Sequence, residues 1–342
     1  MNKKHFFLTI TMAIFFLTSG VAMAAPSFYE GKTIRIVVGY SAGGGYDTYA
    51  RVISRHMAKY IPGHPTIIVE NMTGAGSLIS ANYMYKMAKP DGLTIGHFNG
   101  GLFFNQVLQE PGIEFDARKY VFIGAAVKEE CPYAFSKKSG ITSMEKWINA
   151  KTPVKMGGVA PGAYAPDNVI RILKAALGLP IQLVSGYKGT ADVRLAVESG
   201  ELAGTSWGWA SMRSTWRKSL ETGDVVVVLQ GVPEPFPDLP KVPLAISYAK
   251  TPEARQLIEV GIHSPSIFAR PFVLPPNTPK EQTQILTKAF NDTLKDKEFL
   301  AEAEKAKLDI EPVSVPELEK SVNAIFKVDH VMGAKLKEIL FK

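Results

Sequence analysis

Thr33-Ile34-Arg35-Ile36-Val37-Val38-Gly39-Tyr40-Ser41-Ala42-Gly43-Gly44-Gly45-Tyr46-Asp47 carries the reading on which the fold turns. Thr33 to Val38 is short, β-branched and apolar at both ends, which predicts a strand in a sheet covered on both faces. Tyr49, Val52, Ile53 and Met57 then recur at helical spacing, with Asp47 placed as the N-cap of that helix. Between strand and helix, glycines at 43, 44 and 45 let backbone N–H groups come within contact distance of a ligand, since no Cβ stands in the way. The helix points its free N–H groups and positive dipole end at the same spot. The result is an anion site made mostly of backbone. A dinucleotide fingerprint fails here, because Thr48 stands where the third glycine of G-x-G-x-x-G is required. A tight turn without a ligand is the plain alternative for a single glycine cluster.

The cluster recurs. Pro65 to Glu70 predicts a second strand running into Asn71-Met72-Thr73-Gly74-Ala75-Gly76-Ser77, which opens a helix carrying Leu78, Ala81, Met84, Tyr85 and Ala88. Leu93 to Phe98 predicts a third strand ending in Asn99-Gly100-Gly101. Three such turns at the carboxyl ends of parallel strands converge on one edge of a doubly wound sheet, where those sheets bind ligands. From about Tyr120 an extended segment over 121–127 and 133–135 leads to a new set of strands at 154–156, 181–184 and 225–229. Helices are expected near 165–177 and 190–199. Gly157 to Tyr164 and Gly186 to Thr190 are again glycine turns between strand and helix. Five prolines between 233 and 243, interleaved with apolar residues, mark a surface loop. Ser266 to Leu274 reads as a further extended segment, followed by a helix from Lys280 and a last helix from about Val315.

Composition places these elements in an exported globular protein. With 342 residues, 46% of them hydrophobic and 21% charged, the chain is long enough for two domains and a real core. Lys3 and Lys4 precede an apolar run from Phe6 to Leu17, and Ala22-Met23-Ala24 supplies a small-x-small cleavage pattern, so residues 1–24 read as a signal peptide cleaved after Ala24. Lysine and arginine number 39 against 32 acids, a net +7 that becomes +5 without Lys3 and Lys4. The basic residues are scattered, which speaks against nucleic acid. Cys131 is the single cysteine, so no internal disulfide forms and the residue reads as a small buried hydrophobe.

These motifs together carry a resemblance. Ile34 to Val38, Gly43 to Asp47, Val69 to Gly76, Pro90-Asp91-Gly92-Leu93-Thr94 and Tyr187-Lys188-Gly189 resemble the periplasmic solute receptors of tripartite tricarboxylate transporters, the Bug or TctC family. The resemblance spans nearly the whole chain after the leader. It implies an α/β, type II-like periplasmic binding protein of two lobes, each a mainly parallel sheet flanked by helices, with the ligand cleft between them. Residues 26–126 and 265–342 would form one lobe and 127–264 the other, closing like a flytrap on a carboxylate-bearing metabolite. The implied receptor is a periplasmic monomer that needs no cofactor and delivers its ligand to integral membrane transporter subunits. Carried onto this chain, the binding residues are Tyr40, Ser41, Gly43, Gly44 and Asp47 in the first turn, and Gly74, Ala75 and Ser77 in the second. From the other lobe come Gly162, Ala163, Tyr164, Tyr187, Lys188 and Trp207. Ser41-Ala42 stand where the family usually has prolines, and Ala163 to Asp167 replace its small polar run, so the ligand's identity stays open among dicarboxylate, tricarboxylate and aromatic carboxylate.

Other chemistries compete. Gly204-Thr205-Ser206-Trp207-Gly208 matches the G-x-S-x-G nucleophile elbow, with Asp224 or Asp238 and His263 or His330 following in order, as in a secreted serine hydrolase. The residues before it, Gly200-Glu201-Leu202-Ala203, are weakly apolar for the central strand an elbow requires. The histidines share no helical ligand spacing, so no metal site is expected. Tyr40, Tyr46, Tyr164, Tyr187, Trp207 and Trp209 could line the cleft, with Lys188 and Arg213 as nearby cations. That lining favours a carboxylate with an apolar body, whereas a dicarboxylate is favoured if half of these rings belong to the core.

Overall fold

The computed structural model describes residues 27–341. The signal peptide read over 1–24 and its cleavage site lie outside them. Ten strands are described: β1 (Thr33–Val38), β2 (Thr66–Asn71), β3 (Thr94–His97), β4 (Val121–Gly124), β5 (Cys131–Ser136), β6 (Val154–Gly157), β7 (Ile181–Val184), β8 (Gly204–Ser206), β9 (Val225–Gly231) and β10 (Phe272–Leu274). They form two five-stranded sheets, ordered β2-β1-β3-β10-β4 and β7-β6-β8-β5-β9. In the first, β1 pairs in parallel with β2 and β3 while β10 runs antiparallel to β3 and β4. In the second, β6 pairs in parallel with β7 and β8 while β5 runs antiparallel to β8 and β9.

The two sheets therefore share one plan. Each is mixed, with a single reversed strand, and in each the reversed strand is the one the chain enters on crossing from the other sheet. Chain order switches sides of β1 and of β6, so the crevices between β1 and β3 and between β6 and β8 are the topological switch points where open sheets bind ligands. The turns that flank those crevices are glycine turns.

Among the described residues thirteen α-helices cover the sheets, the principal ones being placed by their apolar stripes. In chain order they are α1 (Gly45–Met57), α2 (Leu78–Lys86), α3 (Gly101–Val107), α4 (Met144–Ile148), α5 (Val169–Leu177), α6 (Thr190–Ser199), α7 (Trp209–Thr215), α8 (Arg217–Glu221), α9 (Pro252–Ile258), α10 (Lys280–Thr293), α11 (Lys297–Lys305), α12 (Val315–Ile325) and α13 (His330–Phe341). Ile34, Ile36 and Val38 of β1 pack with Val52, Ile53 and Met57 of α1 and Leu286 and Phe290 of α10. Val37 points the other way, toward Ala81 and Met84 of α2. The doubly covered strand expected from the sequence is what forms.

The end of the chain departs from expectation. Of the segment read as extended over 266–274, only Phe272–Leu274 is strand, and Ser264–Ile267 is a 3-10 turn. Helix α13 was not foreseen. Asp329 caps it, accepting from the N–H of Val331 (2.9 Å) and Met332 (3.1 Å), and Met332, Leu336 and Leu340 bury one stripe. That stripe meets α5, and Lys335 pairs with Glu253 at the start of α9 at 3.2 Å. The last helix thus rests on helices of the second sheet, although 265–342 was assigned to the lobe of the first.

Phe290 tests the layer that holds β10 in place. It is 1% exposed, its ring lies 4.9 Å from that of Phe272, and a Cβ on Gly124 would stand 2.7 Å from its edge. Phe290→Ala should cost about 3–5 kcal/mol in urea denaturation with an unchanged m value. A loss under about 1 kcal/mol would mean that α10 does not carry this sheet.

Candidate ligand-binding site

Asp47 is not the N-cap of α1. The helix starts at Gly45 with Gly44 as a cap that has no side chain to offer. Asp47, 2% exposed, reaches back from the first turn and accepts from the N–H of Gly43 (2.9 Å), from Asn71 Nδ2 (2.9 Å) and from Arg51 Nε (2.9 Å). Burial alone would raise its pKa, but those three donors outweigh it and hold the carboxyl below its ordinary value. Asn71 also donates to the carbonyl of Tyr40 at 2.8 Å, so β2 fixes the first turn from the side. Asp47 is accordingly the strut of the turn.

The turn after β6 is built the same way. Asp167 is fully buried and accepts from the N–H of Val159 (2.5 Å) and Ala160 (3.1 Å) and from the Ser185 hydroxyl. Here burial dominates the hydrogen bonds, and the pKa is raised to about 6. The second turn, after β2, holds its shape by strain: Ala75 (φ 46), Gly76 (φ 60) and Ser77 (φ 84) are all left-handed. The Ser77 hydroxyl accepts from the N–H of Asn99 at 2.9 Å, which ties the second turn to the third.

The turns of the two sheets meet. A Cβ on Gly44 would lie 3.0 Å from Thr190 Oγ1, one on Gly76 would lie 3.1 Å from that of Ala163, and a Cβ on Gly45 or Gly189 would collide with Ser211 or Ser41. Asn105 Nδ2 donates to the carbonyl of Gly162 at 2.5 Å, and Asn168 Nδ2 reaches Asn105 Oδ1 at 3.2 Å. The Ser41 hydroxyl is buried without a partner among the described residues. Helices that start here lack side-chain caps: α1 follows Gly44, α6 follows Gly189 and α7 follows Gly208. Four other helices have them, from Ser143, Thr251, Asp296 and Ser314, whereas α8 after Trp216 and α10 after Pro279 do not. The N–H groups at the uncapped starts of α1 and α6 can take an anion.

Several residues read as ligand contacts are committed elsewhere. Trp207 is 0% exposed and stacks on Trp216 with centroids 5.0 Å apart, inside the second unit. Tyr164 is buried and donates to the carbonyl of Ile262 at 2.5 Å. Trp209 lies over Phe236 and donates to Asp238 at 3.1 Å. The Tyr187 hydroxyl binds Glu201 at 2.5 Å, and Lys188 is exposed. Arg213 pairs with Asp238 (3.0 Å) and Asp309 (2.9 Å). Those last two acids line, with Trp209 and Glu311, a separate cavity of about 220 Å³. Most of the aromatic lining expected from the sequence is therefore core, and the junction is polar and backbone-rich. Tyr40, packed on Tyr46 at 4.7 Å, remains at it.

The sequence reading passed over the strongest charges at the junction. Glu129, between β4 and β5, and Arg270, just before β10, form an ion pair with the two side chains 2% and 3% exposed. Glu129 also accepts from the N–H of Gly208 at 2.7 Å, and Arg270 Nη2 donates to Ser211 at 2.6 Å. The guanidinium lies over the rings of Tyr46 (4.6 Å) and Tyr49 (5.4 Å). Nothing in the local sequence around either residue marks a pair 141 positions apart.

The serine of the elbow motif does not look like a nucleophile. Ser206 is buried at the end of β8 and its hydroxyl donates to the carbonyl of Pro132 at 2.9 Å. Among the described residues no histidine bonds to it. His56, Asp296 and Glu298 come close enough to suggest a cation site, but Lys59 Nζ already lies 2.9 Å from Asp296 and 2.7 Å from Glu298.

The raised pKa of Asp167 predicts a pH signature. A carboxyl whose folded pKa exceeds its unfolded value contributes stability at low pH that is lost as pH rises through about 6. The stability of the wild type relative to Asp167→Asn should therefore fall by about 2 kcal/mol between pH 4 and pH 7, read from urea midpoints. A difference independent of pH would show that this carboxyl titrates normally.

No family model matches the chain. A UPF0065 protein of Cupriavidus necator is 35% identical over 99 residues, 28% of this chain and 29% of that protein. Another, of Bordetella bronchiseptica, is 23% identical over 298 residues, 84% of this chain and 81% of its own. Among solved structures, the periplasmic binding protein BugD superposes with a TM-score of 0.74 at 20% identity, covering 91% of this chain and 98% of its own. MatC of Rhodopseudomonas palustris with bound malate gives 0.70 at 19%, over 90% and 99%, and an R. palustris protein with adipate gives 0.72 at 19%, over 90% and 97%. The chain is thus similar in sequence to UPF0065 proteins and shares the two-lobed fold of the periplasmic binding protein BugD and of a TctC solute-binding protein.

Proposed function

We propose that this protein is an extracytoplasmic receptor that captures a small carboxylate between two lobes and presents it to the membrane subunits of a tripartite tricarboxylate-type transporter. The lobes are residues 27–126 with 265 to about 328, and 127–264 with α13 resting on them. The leader over 1–24 would export the chain to the periplasm. No helix among the described residues is long and apolar enough to cross a membrane, so retention there would depend on partners.

The observation that carries this reading is the pair of uncapped helix starts, Gly44 and Gly189, meeting where the two sheets touch. A helix N-terminus without a side-chain cap leaves N–H groups for which a carboxylate is a natural acceptor. Because the donors come from both sheets, an anion bound among them favours the closed arrangement over the open one. The malate and adipate in the two R. palustris proteins of this fold are small carboxylates. The rival hydrolase reading loses its support with the burial of Ser206.

Calorimetric titration of the chain from Ala25 onward with malate and adipate tests the reading. Binding without consumption of the acid is the expected result. Gly44→Asp places a carboxylate of the protein's own at the start of α1, and should weaken binding by at least about 10-fold while leaving the melting temperature of the free protein unchanged or higher. Turnover of the acids, or wild-type affinity in this variant, would overturn the assignment.

A further inference from the structure

Arg270 is the one fully buried guanidinium at the junction, and it is only partly used. Its Nε faces Glu129 and its Nη2 donates to Ser211, whereas Nη1 is buried with no acceptor among the described residues. A guanidinium carries five N–H donors, and buried donors are nearly always satisfied by protein, water or ligand. The group lies at the first anion turn: a Cβ on Gly45, the first residue of α1, would stand 3.1 Å from Nη2. Tyr46 and Tyr49 fix its plane by stacking, and Tyr46 is itself held by a bond from its hydroxyl to the carbonyl of Ala269 at 2.8 Å. Beside it stands Tyr40, 5% exposed, whose hydroxyl makes no hydrogen bond among the described residues.

We infer that Arg270 is a specificity-determining residue of this cleft, its Nη1 receiving a second carboxylate of the ligand, so that the protein selects dicarboxylates over monocarboxylates. This rests on the receptor reading above. The first carboxylate takes the backbone N–H groups at the starts of α1 and α6, and the second satisfies the buried guanidinium donor. The other candidate cations are spent or remote, with Arg213 tied to two aspartates, Arg51 to Asp47, and Lys188 exposed to solvent. In a site of low effective dielectric, the charged partner of a buried donor outcompetes its neutral analogue by more than it would in water.

The experiment compares adipate with adipamate, its half-amide of the same length and a single charge, by calorimetry on the chain from Ala25 onward. The wild type should prefer adipate by on the order of 10- to 100-fold, the range expected for a charge-assisted hydrogen bond. In the double variant Arg270→Met with Glu129→Met, which leaves no stranded carboxylate, the preference for adipate over adipamate should fall to within about 3-fold. Arg270→Lys, which retains the charge and loses the fork, should be intermediate, and it stands in if the double variant fails to fold. Equal binding of both acids by the wild type, or a preference that survives in the variants, would overturn the inference and assign Nη1 to a buried water. If neither acid nor any other in a screen of organic acids binds the wild type, the receptor reading itself fails and this inference with it.

Discussion

The buried pair of Glu129 and Arg270 is the interaction on which the arrangement of the two sheets depends. Placing both charges out of water costs several kcal/mol each, and only close pairing with additional hydrogen bonds offsets that cost. The additional bonds here are the N–H of Gly208 to Glu129 and the guanidinium to Ser211, both at the start of α7. Glu129 lies on the segment by which the chain leaves the first sheet, and Arg270 on the segment by which it returns. One ion pair therefore fastens the two crossings to each other, to the second sheet through α7, and to the first through the rings of α1. Removing one partner would strand the other, so the geometry of the crossings is over-determined there.

Around that fixed point the binding surface is made of backbone, and two aspartates in different surroundings hold it. Asp47 receives three donors, one of them the guanidinium of Arg51, and stays ionised despite its burial. Asp167 sits deeper and receives two backbone N–H groups and a hydroxyl, so desolvation wins. The same residue type thus braces a glycine turn in each sheet, at opposite ends of the carboxylate range. An anion arriving at the junction would meet a settled negative charge under one turn and a titratable one under the other.

How much of this the sequence disclosed follows from the range of the interactions. Strand, glycine turn and helix are local patterns, and β1, α1, α6 and the start of α10 form where periodicity and glycines place them. The reversed strands β5 and β10 were recognisable as extended segments, but their direction is a pairing property that no local pattern records. The Glu129–Arg270 pair is invisible for the same reason. The aromatic count failed differently: Trp207 and Tyr164 look like cleft residues by position, yet their size lets a core of two packed layers absorb them, and the stacking of Trp207 on Trp216 does so. Helix α13 was legible. Asp329 and the spacing of Met332, Leu336 and Leu340 are an ordinary cap and stripe.

Helix starts differ along this chain: some carry a side-chain cap, whereas those after Gly44, Gly189, Trp216 and Pro279 have none. A helix whose only duty is structural gains about 1 kcal/mol from a Ser, Thr, Asp or Asn cap, and α4, α9, α11 and α12 take that gain at Ser143, Thr251, Asp296 and Ser314. The helices that begin at the junction forgo it in favour of glycine. Close approach explains part of the choice, since a side chain at Gly45 or Gly189 would strike the opposite sheet. At Gly44 the constraint is milder: a Cβ would press on Thr190 Oγ1 at 3.0 Å, but that is the end of a side chain and the backbone (φ −84) is open to any residue. At that position a small capping side chain would be stabilising in the free protein, but its oxygen would compete with an incoming anion for the same N–H groups. Under the proposed function, the ligand's carboxylate would take the place of that cap.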